Sequence, residues 1–80
     1  MYEIYGMSKC SYCVKAKQTL TEKNIDYEYY ELNKDYVIEQ FQEIFPGVKK
    51  VPQIMHDGKW IGGYEDLVKY LNGEDKHESR

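Results

Sequence analysis

The feature that most narrows the possible folds is a pair of cysteines three positions apart, Cys10-Ser11-Tyr12-Cys13, set between a short aromatic run and a helix-forming segment. Tyr2-Glu3-Ile4-Tyr5 is rich in β-formers and is stopped by Gly6, so it reads as a first strand. Met7-Ser8-Lys9 connects it to the cysteines, and Val14 to Lys23 reads as a helix, with Cys13, Ala16 and Leu20 recurring at i, i+3 and i+7. A thiol at the mouth of a helix meets backbone amides that have no intrahelical acceptor. Those amides and the macrodipole favour negative charge at Cys10. Lys9 adds a cation next to it in the chain. A free thiol titrates near about 8.5, and such surroundings lower that value, so a thiolate at neutral pH is expected. Cys13, one turn further on, is in reach to close a small disulfide ring. The pair reads as nucleophile and resolving thiol.

Size and composition bound the rest. Eighty residues allow one domain, near the lower limit for a self-supporting core. The apolar share is 41%, and nine tyrosines contribute to it, so several hydroxyls must reach the surface or a partner. A net charge of -3 argues against nucleic acid, whose binders carry a basic footprint. Two closely spaced cysteines are too few to staple a secreted mini-protein, so a reducing, cytoplasmic setting is expected. No cationic region followed by an apolar run opens the chain, and no apolar stretch approaches the roughly 18 residues of a membrane span, so no membrane association is expected.

Ile25 to Leu32 alternates in part between apolar and acidic residues and reads as a second strand, made parallel to the first by the intervening helix. Asp35 is placed to cap a second helix with Val37, Ile38, Phe41, Ile44 and Phe45 on its core face, and Pro46-Gly47 ends it. Val51 to His56 is a third strand, Asp57-Gly58 a two-residue hairpin turn and Lys59 to Ile61 a fourth strand. After Gly62-Gly63, the residues Tyr64, Leu67, Val68 and Leu71 mark a last helix. The expected architecture is α/β, a four-stranded mixed sheet flanked by three helices in the order β-α-β-α-β-β-α. The domain spans residues 1–72, and 73–80 form a polar tail expected to be flexible.

Each motif has a plainer reading. Zinc wants four ligands, and beyond the cysteines only His56, in a strand, and His77, in the tail, are on offer. A cluster bridged between two chains is another binding-module reading. Buried structural thiols would not need a strand-to-helix junction. A redox pair fits motif and context together. Pro52 is either an edge-strand proline or part of a cis Val51-Pro52 bond that exposes the Val51 backbone to an extended peptide. Gly62-Gly63 before Tyr64-Glu65-Asp66 is either a simple turn with dipole-complementing acids or a mouth of free amides with Asp66 ready for an ammonium. Lys50 and Tyr12 read first as a solvated cation and a packing residue, and His56 has no visible partner.

With Cys10-Ser11-Tyr12-Cys13, Val51-Pro52 and Gly62-Gly63-Tyr64-Glu65-Asp66 all present, the chain resembles a small dithiol glutaredoxin of the thioredoxin-like fold, from about Tyr2 to Leu71. Phrases such as Val-Pro-Gln-Ile at 51 to 54 are similar to the bacterial and phage branch. The resemblance implies that Cys10 attacks and Cys13 resolves, as a redox-active disulfide pair. It implies that Pro52 is cis and that Val51 pairs with the cysteine part of glutathione. The turn of Gly63, Tyr64, Glu65 and Asp66 would take the γ-glutamyl end, and Lys9, Tyr12 and Lys50 would flank the groove. Glutathione is then co-substrate and reductant, with no permanently bound cofactor. Oxidised proteins, ribonucleotide reductase among them, are the expected partners of a monomer. Two positions depart from the family's habit. Lys50 stands before Val-Pro where Thr is common, and Glu65 stands before the Asp where Thr or Ser is common.

Overall fold

In the computed structural model, which describes residues 1–73, the elements are β1 (Tyr2–Gly6), α1 (Ser11–Glu22), β2 (Tyr27–Glu31), α2 (Ile38–Ile44), β3 (Gln53–His56), β4 (Lys59–Gly62) and α3 (Tyr64–Leu71). This is the expected β-α-β-α-β-β-α order. The expectation for 73–80 falls, Gly73 apart, outside the described residues. The four strands lie in the order β2-β1-β3-β4. β1 and β2 are parallel, as their crossover helix requires, and the two other pairs are antiparallel.

Strand alternation divides the core into two layers. Tyr2 and Ile4 of β1 and Ile54 of β3 face one way and meet Ala16 and Leu20 of α1 and Leu67 of α3. Tyr5, Tyr30 and Met55 face the other way and pack with Tyr36, Phe41 and Phe45. The helical stripe Cys13, Ala16 and Leu20 is buried as its spacing predicts. Among the described residues, no helix is long and apolar enough to cross a membrane.

Three expectations about local structure are corrected. Asp35 does not cap α2, because its carboxylate accepts from the backbone N–H of Glu31 (2.8 Å) in a turn that closes β2. The helix starts after Val37, whose N–H is taken by the Gln40 side chain (3.0 Å). Its apolar stripe is also narrower. A helix of seven residues turns only Phe41 fully inward, with Phe45 buried just past its end, while Val37, Ile38 and Ile44 are about 40% exposed. β3 begins later than its sequence pattern suggests, leaving Val51 and Pro52 outside the ladder. The Asp57-Gly58 turn forms as expected, with φ of 51° and 84°, the left-handed pair that a tight two-residue hairpin needs.

The tyrosines solve the problem of a small core by keeping their polar tips paired. Tyr36 is buried and its hydroxyl donates to the carbonyl of Gly6 (2.9 Å). Tyr30 donates to Glu3 and Tyr29 to Glu31 (3.1 and 2.9 Å). His56 stacks on Tyr2 at 3.9 Å between centroids and shares a hydrogen bond with the Tyr70 hydroxyl (2.8 Å), so its role is packing. Trp60 lies on Phe45 at 5.3 Å between centroids and covers that side of the sheet.

Burial pushes the Tyr36 hydroxyl up to about 12 from 10.0, helped by nearby negative charge. Between these values the folded chain keeps a proton that the unfolded chain has lost, so stability falls as pH rises through that window. The urea midpoint should therefore drop steeply above pH 10. Tyr36→Phe should flatten that slope while costing about 0.5–1.5 kcal/mol at neutral pH, because the Gly6 carbonyl loses one hydrogen bond but keeps the Leu32 N–H (2.9 Å).

Candidate active site

The end of β1 and the start of α1 hold the two sulfurs in different surroundings. Cys10 is the N-cap of α1, in extended conformation, and its Sγ accepts from the Cys13 N–H at 3.2 Å. The helix starts at Ser11, three residues before the expected Val14, so Cys13 lies in the first turn rather than ahead of it. Cys10 is partly exposed, whereas Cys13 is fully buried. The Cys10 thiol also points at the Val51 carbonyl, 3.6 Å away.

Cys13 sits against the backbone of Gly6. A Cβ at Gly6 would lie 2.7 Å from the Cys13 Sγ and 3.2 Å from the Tyr29 ring, so only glycine permits this approach. Burial, followed by the hydrogen bond with Cys10 and the charges of Cys10 and Glu31, pushes the Cys13 thiol up to about 12. At neutral pH it is a protonated thiol. The asymmetry of an accessible, amide-capped sulfur and a buried protonated one is what sequential thiol chemistry requires.

Beside Cys10 runs a groove of about 400 Å³. One wall is the segment Lys50 to Gln53, and the other is the start of α3 from Gly63 to Asp66, with Tyr12 at the edge. The Val51-Pro52 bond is cis, which settles the two readings of Pro52 in favour of the cis one. Asp66 realises part of its plainer reading, since its Oδ2 accepts from Gly63 N–H at 3.1 Å. Gly62 has φ of 126°, and a Cβ there would collide with that carboxylate. Of the residues expected at the site, Tyr12, Lys50, Val51, Pro52, Gly63, Tyr64, Glu65 and Asp66 converge on this groove. Lys9 does not. A turn from Met7 to Cys10, closed by Cys10 N–H to Met7 C=O (3.2 Å), leaves Ser8 and Lys9 exposed at its tip.

Two further residues shape the site and escape a sequence reading. Gln53 is buried and bridges the walls' supports, donating to the Lys50 carbonyl (3.0 Å) and accepting from the Trp60 indole (2.9 Å). Glu31 accepts from Ser8 N–H (2.8 Å) and from the Tyr29 hydroxyl, tying the loop before Cys10 to β2. Ser8 foremost holds that carboxyl below the usual carboxylate range. Glu31 sits in no motif, Gln53 lies in the Val-Pro-Gln-Ile phrase with no role marked there, and both act through contacts that only the folded chain creates. Among the described residues, no three His, Cys, Asp or Glu side chains converge on a metal position.

A strand-to-helix dithiol facing a cis-proline groove on a four-stranded mixed sheet defines a thioredoxin-like redox site. The glutaredoxin family model matches residues 2–61, and the chain belongs to that family. Glutaredoxin 1 of Rickettsia conorii is 39% identical over 66 residues, covering 80% of this chain, and the match spans 65% of that relative's length. The solved structure of reduced Escherichia coli glutaredoxin is 32% identical with a TM-score of 0.73, covering 89% of this chain and 92% of that one. A buckwheat glutaredoxin–glutathione complex shares the fold, with a TM-score of 0.75 at 22% identity over 90% of this chain and 69% of that one.

The contrast between the sulfurs is directly measurable. Brief iodoacetamide treatment of the reduced protein at pH 7 should label Cys10 and leave Cys13 unlabelled, as read by peptide mass spectrometry, until denaturant is added.

Proposed function

We propose that this chain is a glutathione-dependent thiol–disulfide oxidoreductase that reduces protein disulfides and glutathione mixed disulfides. The observation that carries the reading is the pairing of Cys10, capped by the Cys13 amide and accessible, with a buried Cys13 thiol, at the end of a groove made for an extended ligand.

The chemistry follows from that asymmetry. The Cys10 thiolate attacks one sulfur of a substrate disulfide, a Cys10–substrate disulfide forms, and the other substrate sulfur leaves as a thiolate that takes up a proton. Cys13 then loses its proton and attacks Cys10 Sγ. The Cys10–Cys13 disulfide forms and the second substrate sulfur is released and protonated, so two electrons pass from the dithiol to the substrate. Two glutathione molecules reverse the oxidation: the first thiolate attacks Cys10 Sγ and expels Cys13, which takes up a proton, and the second attacks the glutathione sulfur, freeing Cys10 and leaving as glutathione disulfide. A glutathione mixed disulfide needs only Cys10.

The groove supports glutathione as the co-substrate. Val51 presents backbone groups to its cysteine part, beside cis-Pro52. The amides at the start of α3 and the Asp66 carboxylate meet the γ-glutamyl end, with Tyr64 alongside, and Lys50 and Tyr12 flank the glycyl carboxylate. Lys9, exposed outside the groove, has no part in this arrangement. A pair of thiols in so small a chain suits a reducing compartment such as the cytoplasm.

Cys13→Ser should retain reduction of glutathione mixed disulfides and lose at least about a hundredfold in reduction of protein disulfides, a loss typical when a unit of covalent chemistry is removed. Cys10→Ser should abolish both in assays coupled to glutathione and its reductase. A Cys10→Ser protein with full activity overturns the reading.

A further inference from the structure

The two sides of the groove carry unequal charge. Lys50 stands on the Val51 side, whereas the α3 side presents Glu65 and Asp66 together. Asp66 is partly committed, since its Oδ2 holds the Gly63 N–H. The first amide at the helix mouth, a natural hold for a ligand's carboxylate, is thus already occupied by one of the chain's own. Glu65 is exposed, and among the described residues no cation lies within ion-pair distance of it.

Next to these acids lie two aromatic rings. Tyr12 and Tyr64 stand 5.8 Å apart between centroids, tilted by 35°, and both line the groove. The Tyr12 ring already receives one cation, the Lys15 ammonium at 5.0 Å from its centroid. An exposed carboxylate in a groove also lined by two aromatic rings is a setting that attracts an ammonium or guanidinium and repels a second carboxylate.

We propose that this end of the groove recognises a lysine or arginine beside the disulfide cysteine of a protein substrate, and that Glu65 is the specificity residue that favours such cationic disulfides over glutathione disulfide. The inference rests on the reading of Cys10 as the attacking sulfur. It separates the two half-reactions. The oxidised partner is selected by charge at this end of the groove, while reduced glutathione enters afterwards to recharge Cys10.

The test uses the reduced full chain in single turnover, with two synthetic peptides that carry the same intramolecular disulfide and differ only in Lys or Glu next to the attacked cysteine. Turning attraction into repulsion across one exposed carboxylate should separate their rates by roughly tenfold at low salt. That ratio should shrink as ionic strength rises from about 0.01 M to about 1 M. Glu65→Gln, isosteric and with the Asp66 cap intact, should bring the ratio down to within about threefold and raise the rate with glutathione disulfide. Glu65→Thr should do the same, which guards against an effect peculiar to glutamine. Equal rates for the two peptides on the unaltered protein, or a ratio that survives both substitutions, overturns the role of Glu65 while leaving the Cys10 chemistry standing. Failure to reduce either peptide overturns the Cys10 reading, and this inference with it.

Discussion

The site depends on a single hydrogen bond, from the amide of Cys13 to the sulfur of Cys10 at 3.2 Å. It makes a cysteine do what a serine or aspartate does at other helix starts, satisfying a first-turn amide that has no carbonyl to meet. The same bond constrains the spacing of the sulfurs, because donor and acceptor belong to the two cysteines themselves. The remaining structure holds this corner in place. β1 delivers the chain to it, Gly6 opens room behind Cys13, and the Val51 carbonyl closes over Cys10.

A sheet of four short strands is thin support for such a corner, and the chain compensates with layers on both faces. Ile4, Leu20, Ile54 and Leu67 form one dry layer, and Phe41 and Phe45 anchor the other. Tyrosines fill the space between layer and solvent, with hydroxyls paired to Gly6, Glu3 and Glu31. The Tyr36 hydroxyl bond to the Gly6 carbonyl runs into the residue that touches Cys13, so the packing of the second layer bears on the redox corner through one backbone group.

Much of this was legible in the residues. The cysteine pair, Val51-Pro52, the Asp57-Gly58 turn and the Gly62-Gly63 break are local signals, each tied to a backbone conformation that few other residues accept. Where reading failed, the competing force was tertiary. Asp35 has the chemistry of a cap, but the Glu31 amide reaches it first. The α2 stripe has helical spacing, yet a helix of two turns can present only a narrow face, and Tyr36, just before it, takes a buried place that its spacing does not mark. Lys9 adjoins Cys10 in the chain but sits at the tip of a turn.

The order of the residues alone carried the succession of strands and helices, the cysteine pair at a strand-to-helix junction and the Asp57-Gly58 turn, since those depend on neighbours a few positions apart. Only the folded molecule decided which charges share the groove. Lys50, Glu65 and Tyr12 come from three separate segments and meet because the fold brings the start of α3 beside the start of α1, with the segment before β3 opposite. The buried state of Cys13 and the struts from Gln53 and Glu31 belong to the same category. They arise from contacts across long stretches of chain, and no local pattern encodes the distance at which two such segments come to rest.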